Sequence, residues 1–154
     1  MKTLCEDTEK DFSKSFMYSI HQMHFLVQKR LDHVLSQHKS LSFSQFMILV
    51  GFMCSSNHGV SQTSIAEHLN LTEATVSRHI SSLVDLKMLS RSLDKTNRRK
   101  HNITITEKGK KVFETARKLI DTELSSIFSS IKEKDRSAIM KNCTQVLSEL
   151  LTKK

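Results

Sequence analysis

A mostly α fold with one small β-hairpin set into it is the class this sequence predicts, and three observations carry the prediction. The 154 residues include no proline and only three glycines, so little in the chain interrupts a helix. Apolar residues recur every three or four positions towards both ends of the chain. Between residues 89 and 105 alone the period changes to strict alternation. The length suits one domain, or one compact domain with a long helical appendage, and is enough to bury a proper core.

The first stripe is Phe12, Phe16, Ile20, Met23, Val27, Leu31 and Val34, which spans about seven turns of helix. A stripe of that length is too long for one small core, and a second copy of the chain is the simplest cover for it. Ser36 to Leu41 reads as a loop. Ser42 followed by Gln45 is a capping-box pattern, and it opens a helix whose apolar face is Phe46, Leu49, Val50 and Met53. Gly59 in the stretch from Ser55 is available for the left-handed turn that ends it.

The stretch Ser61 to Lys87 then reads as a helix-turn-helix. Ser61 caps a short helix with Ile65 and Leu69 on one face, Asn70-Leu71 breaks it, and Thr72 caps a second helix. In that second helix Val76, Ile80 and Leu83 form the packing stripe, so Ala74, Thr75, Arg78, Ser81 and Ser82 point away from it. Small side chains let such a face enter a major groove. Thr75 and Ser82 offer bonds to phosphates or base edges, and Arg78 offers a bidentate contact to a guanine O6/N7 pair. A solvated helix face explains any one of these residues equally well; the whole 27-residue pattern is far more specific.

Leu89, Arg91 and Leu93 alternate with Ser90 and Ser92, and Ile103 and Ile105 alternate with Asn102 and Thr104. The two short strands, joined by Asp94 to Lys100, make a hairpin with a basic tip, and hence a winged helix-turn-helix. Such a wing lays cations along the backbone or places one in the narrow minor groove. Thr106 caps the next helix, and Gly109 near its start permits close backbone approach. Val112, Phe113, Ala116, Ile120, Leu124, Ile127, Phe128 and Ile131 stripe that helix. After the charged break Lys132 to Asp135, a last helix turns Ile139, Cys143, Val146, Leu147 and Leu150 inward. The expected organisation is therefore a DNA-binding domain over 41–105, flanked by 1–40 and 106–154 as the two parts of a dimerisation region. Phe12, Phe16, Ile20, Val146, Leu147 and Leu150 are its candidate contacts.

The formal net charge of +8 implies an acidic partner. Residues 91–100 hold five cations against one Asp, beside the helix-turn-helix and not in a tail, which favours nucleic acid over a membrane surface. No apolar run approaches the roughly 18 residues a membrane span needs, and the first residues lack the apolar segment of a signal peptide, so a cytoplasmic protein is expected. Gly-rich phosphate loops, nucleophile elbows and clustered Asp, Glu, His and Cys are all missing, which argues against an enzyme. No cofactor or metal is predicted. His21 and His24 lie one turn apart, but no further ligand stands at a recognisable spacing. Of three widely spaced cysteines, Cys54 and Cys143 fall on or near apolar stripes as packing residues, leaving Cys5 as the exposed candidate for a redox switch. A winged helix used only to bind protein is the remaining alternative. It gives no reason for cations both at Arg78 and at the wing tip.

Three segments, LSFSQFMILVGF at 41–52, IAEHLNLTEATVSRHISSL at 65–83 and DKTNRRKHNITITEKG at 94–109, resemble the MarR family of bacterial transcription regulators. The likeness extends over nearly the whole chain. Asp94, Arg98, Arg99, Ile103, Ile105, Thr106 and Gly109 match the family's wing. The resemblance implies that Arg99 enters the minor groove while Asp94 and Arg98 brace the hairpin, with the two arginines open to exchange. Lys95 and Lys100 add charge beside them. It also implies DNA contacts from Thr75, Ser77 and Arg78 on the recognition helix, which Thr72 caps and Ala74 lets approach. The family's usual Pro after the wing Asp is Lys95 here, its second acidic residue is Asn97, and a frequent Gly before the first strand is replaced by Lys87-Met88. A homodimer on a pseudo-palindromic double-stranded operator is implied. So is a repressor that releases DNA when a small amphipathic ligand binds between the dimerisation helices and the winged domain.

Overall fold

The structure is a computed structural model that describes residues 12–39, 41–54, 61–93 and 101–152, the side chains of 12–14, 38, 39, 93 and 101 excepted. Helix α1 is Phe12–Lys39, α2 Phe43–Cys54, α3 Gln62–Leu69 and α4 Glu73–Asp85; strands β1 Leu89–Leu93 and β2 His101–Ile105 follow, then α5 Glu107–Ile127 and α6 Glu133–Thr152. The chain divides into two compact units, Met1–Ile120 and Asp121–Lys154.

In the first unit α2 is the hub, touching α1, α3, α4 and β2. Its central residues Ile48 and Leu49 are fully buried, and Phe46 and Phe52 are nearly so. Burial of side chains this size contributes about 1.5–3 kcal/mol each. The expected face of α2 is thus partly corrected: Phe46 and Leu49 point inward, whereas Val50 is half-buried and Met53 exposed, and Ile48 and Phe52 take their places. A helix that is apolar almost all round carries no periodic signal to say which residues win. The capping box is present in both directions. The Gln45 amide N–H donates to Ser42 Oγ (3.1 Å), and the Ser42 amide donates to Gln45 Oε1 (2.9 Å). The Asp32 carboxylate adds a second cap from α1, accepting from the Phe43 amide at 2.6 Å.

The loop expected over Ser36 to Leu41 is mostly helix, since α1 runs on to Lys39. No breaker stands between Val34 and Lys39, and fully buried Leu35 holds the extra turn against the core. Ring stacking of Phe46 on Phe113, with centroids 5.3 Å apart and planes 6° from parallel, seats the first half of α5 on α2. Val76, Ile80 and Leu83 of α4 are all completely buried, as their spacing required. The strands pair antiparallel, from Leu89 opposite Ile105 to Leu93 opposite His101.

In the second unit the residues before α6 form a turn, and Arg136 secures it by donating from Nε to the Ile131 carbonyl at 2.8 Å. Helix α6 buries none of its residues. Ile139, Cys143, Val146, Leu147 and Leu150, expected to face inward, are exposed in the single chain. Their spacing is that of a covered face, yet no described residue of the unit buries it.

Candidate nucleic-acid interface

The site is built on α4, and its helix ends are fixed by side chains the sequence supplies. Ser61 begins α3 by accepting from the Ser64 amide at 3.0 Å. Asn70 ends it in the left-handed region at φ 52°. The Leu71 amide then donates back to Ala66 O at 2.9 Å, so the turn between the two helices closes the last carbonyls of the first. Thr72 starts α4 by accepting from the Thr75 amide at 3.2 Å.

On the exposed face, Thr72, Thr75 and Arg78 form a line. The two threonine hydroxyls lie 2.9 Å apart, and Arg78 Nη2 donates to Thr75 Oγ1 at 3.4 Å. One consistent arrangement has Thr75 donate to Thr72 and accept from Arg78. Its effect is to hold the guanidinium against the helix with its other N–H groups free to turn outward. Ala74 is exposed and leaves room beside this line, whose middle member Thr75 is half-buried, as is Ser77.

Ser82 is placed differently from its neighbours. Its Oγ accepts from Gln45 Nε2 at 3.0 Å, and it is half-buried against the first turn of α2. By position it stands one turn along α4 from Arg78 and about 40° round the helix, where a long side chain from α2 reaches it. Gln45 therefore bridges the capping box to the recognition helix, a role the sequence marks only as a cap. Asp94, Lys95, Arg98, Arg99 and Lys100 lie outside the described residues, as do Cys5, Gly59 and the side chain of Phe12.

Cys54 and Cys143 are both exposed free thiols, which corrects the expectation of inert packing. Cys54 is at the last turn of α2, beyond its buried face, and borders a cavity of about 180 Å³ with Val50, Gly51, Ser64, Ile65, His68 and Leu69. His21 and His24 are exposed on α1. Among the described residues no three His, Cys, Asp or Glu side chains come together.

At the far end of α4 the chain turns through Lys87, whose φ of 59° is left-handed. The Lys87 amide donates to Val84 O and the Met88 amide to Leu83 O, both at 2.8 Å, the paired bonds of a glycine-type helix end made here without glycine. Thr106 caps α5 with an Oγ1 that accepts from the Gly109 amide at 3.0 Å. In the first turn of α5, Lys110 Nζ bonds Glu107 Oε1 at 2.7 Å, and this ammonium holds the Glu107 carboxyl below the usual carboxylate range.

Residues 41–101 match the MarR family model, which takes in α2, the helix-turn-helix and the first strand. Over this segment the chain is similar to MarR-family proteins. The HTH-type transcriptional repressor YetL of Bacillus subtilis (strain 168) is 24% identical over 120 residues, covering 76% of this chain and 72% of that protein. A MarR transcriptional regulator from Methanosarcina mazei Go1 superposes with a TM-score of 0.80 at 23% identity, over 92% of this chain and 99% of its own. The MepR–DNA complex of S. aureus gives a TM-score of 0.77 at 25% identity, over 87% of this chain and 97% of its own. The MarR-family fold thus extends well beyond the matched segment, and the matched proteins are transcription regulators rather than enzymes. Among the described residues no helix is long and apolar enough to cross a membrane.

Proposed function

We propose that the chain binds a pseudo-palindromic operator as a homodimer, with α4 of each copy in successive major grooves and the basic wing over the adjacent minor groove. The observation that carries this is the Thr72–Thr75–Arg78 line on the outer face of a helix whose other face is wholly buried. Arg78 is the base-reading residue, Thr72, Ala74, Thr75 and Ser77 govern approach and backbone contact, and Ser82 steadies the helix through Gln45. Arg99 enters the minor groove, Asp94 with Arg98 braces the hairpin, and Lys95 and Lys100 lie along the phosphates. The segments 1–40 and 106–154 form the dimerisation region, supported by the uncovered apolar side chains of α1 and α6. Repression, as for the Bacillus repressor YetL, and release by a small amphipathic ligand complete the reading.

The test is a salt-dependent gel shift on DNA from the region upstream of the protein's own coding sequence. Specific complexes in dimer-sized steps are expected. Arg99→Ala should weaken binding to all duplexes alike and lower the salt slope by about one. Binding no stronger than to random DNA at moderate salt would reject the reading.

A further inference from the structure

Three consecutive carbonyls leave the C-terminal end of the recognition helix, those of Leu86, Lys87 and Met88, and all three are held by the start of α5. Lys108 Nζ donates to Leu86 O at 2.7 Å. Thr106 Oγ1 lies 2.8 Å from Lys87 O and 3.1 Å from Met88 O, and the Thr106 amide donates to Met88 O at 3.0 Å. Gly109 completes the junction by having no side chain. A Cβ there would lie well inside van der Waals contact of the Met88 carbonyl oxygen, 3.0 Å from its carbon and 2.8 Å from Ile105 Cγ1.

These contacts are more than a helix cap requires. Thr106 already satisfies its own helix through the Gly109 amide, so its reach to residues 87 and 88 is a bond between elements. A left-handed Lys87 costs roughly 1–2 kcal/mol relative to glycine, and such strain persists only where the surroundings over-determine it. Here the surroundings are the two bonds back into α4 on one side and the grip of α5 on the other. The junction also gathers three backbone acceptors at a helix C-terminus, where the dipole favours the Lys108 cation.

From this geometry we infer that Thr106, Lys108 and Gly109 are positioning residues: they lock the recognition helix to α5 at one angle and so set the half-site spacing the protein accepts. The inference rests on the dimeric operator reading above. A rigid junction matters there because inserting one base pair moves a half-site by about 3.4 Å and turns it by about 35°. A helix held at one angle cannot follow both changes; one on a loosened junction follows part of the way.

The experiment first selects a duplex from a random library with the wild-type chain, then adds one base pair between its half-sites and measures affinity on both duplexes by anisotropy. Wild type should lose about tenfold on the lengthened site. Thr106→Val keeps the shape but removes the hydroxyl. It should stay within about threefold of wild type on the selected site while its penalty on the longer one falls to about threefold or less. Thr106→Ser should restore the full penalty. Lys108 is exposed, so Lys108→Met gives the same readout with a folded chain if Thr106→Val proves unstable. Equal losses on both duplexes, with the spacing penalty unchanged, would reduce the junction to a merely structural one and overturn the inference. Selection of no two-half-site duplex by wild type would instead overturn the dimeric reading, and the inference with it.

Discussion

Helices α4 and α6 are both amphipathic, yet their apolar stripes meet different fates. In α4, Val76, Ile80 and Leu83 are wholly buried, packed among α2, α3 and β1. In α6, Val146 is 46%, Leu147 59% and Leu150 65% exposed. An apolar stripe announces that a face is to be covered; it does not say by which molecule. For α4 the cover lies in the same chain and the outer face is left exposed. For α6 no described residue buries the stripe, and Ile20, Met23 and Leu26 of α1 are likewise exposed.

The comparison breaks most sharply if α6 is made polar. Leu147→Asp with Leu150→Asp touches no buried residue, so circular dichroism should be unchanged while light scattering reports half the mass. Operator affinity should fall by about a hundredfold or more as the two half-sites become independent. Retention of the wild-type mass would show that this stripe is not the dimer contact. The matching change in α4 acts on folding instead. Leu83→Ala should lower unfolding free energy by about 2–5 kcal/mol in denaturant melts and leave the oligomeric state of the folded fraction alone.

On the outer face of α4 the effect moves to recognition. Arg78→Ala should cost about 1–3 kcal/mol on the operator and relax preference at one base position, with the melting temperature hardly changed because the side chain is exposed. Equal affinity for both proteins would remove Arg78 from the base-reading role. The smallest effect lies at the end of that helix. Lys87→Gly relieves the left-handed backbone but loosens the unfolded chain, so a net gain of about 0.5–1 kcal/mol is expected. A loss would mean that the Lys87 side chain makes a stabilising contact beyond its backbone bonds.

Much of α4 and its surroundings was legible in the residues. Ser61, Thr72 and Thr106 cap the helices they were expected to cap, and the alternation at 89–93 and 101–105 gave the hairpin, because both signals are local. The α2 face was less legible, since a helix apolar on most sides buries whichever residues its neighbours leave uncovered. Ser82 and Gln45 are 37 positions apart in sequence, and no periodicity joins them. The same holds for Lys108 and the Leu86 carbonyl, which carries no side-chain signature at all.

Local rules of spacing and capping therefore determined the element order and which stripe of α4 is buried, with no knowledge of how the elements meet. What only the folded chain decided were the contacts between distant residues: the Gln45 bridge to Ser82, the Asp32 cap on α2 and the grip of Thr106 and Lys108 on the turn after α4. Those depend on distances that tertiary packing alone sets, and a backbone carbonyl accepts a bond regardless of the side chain attached to it.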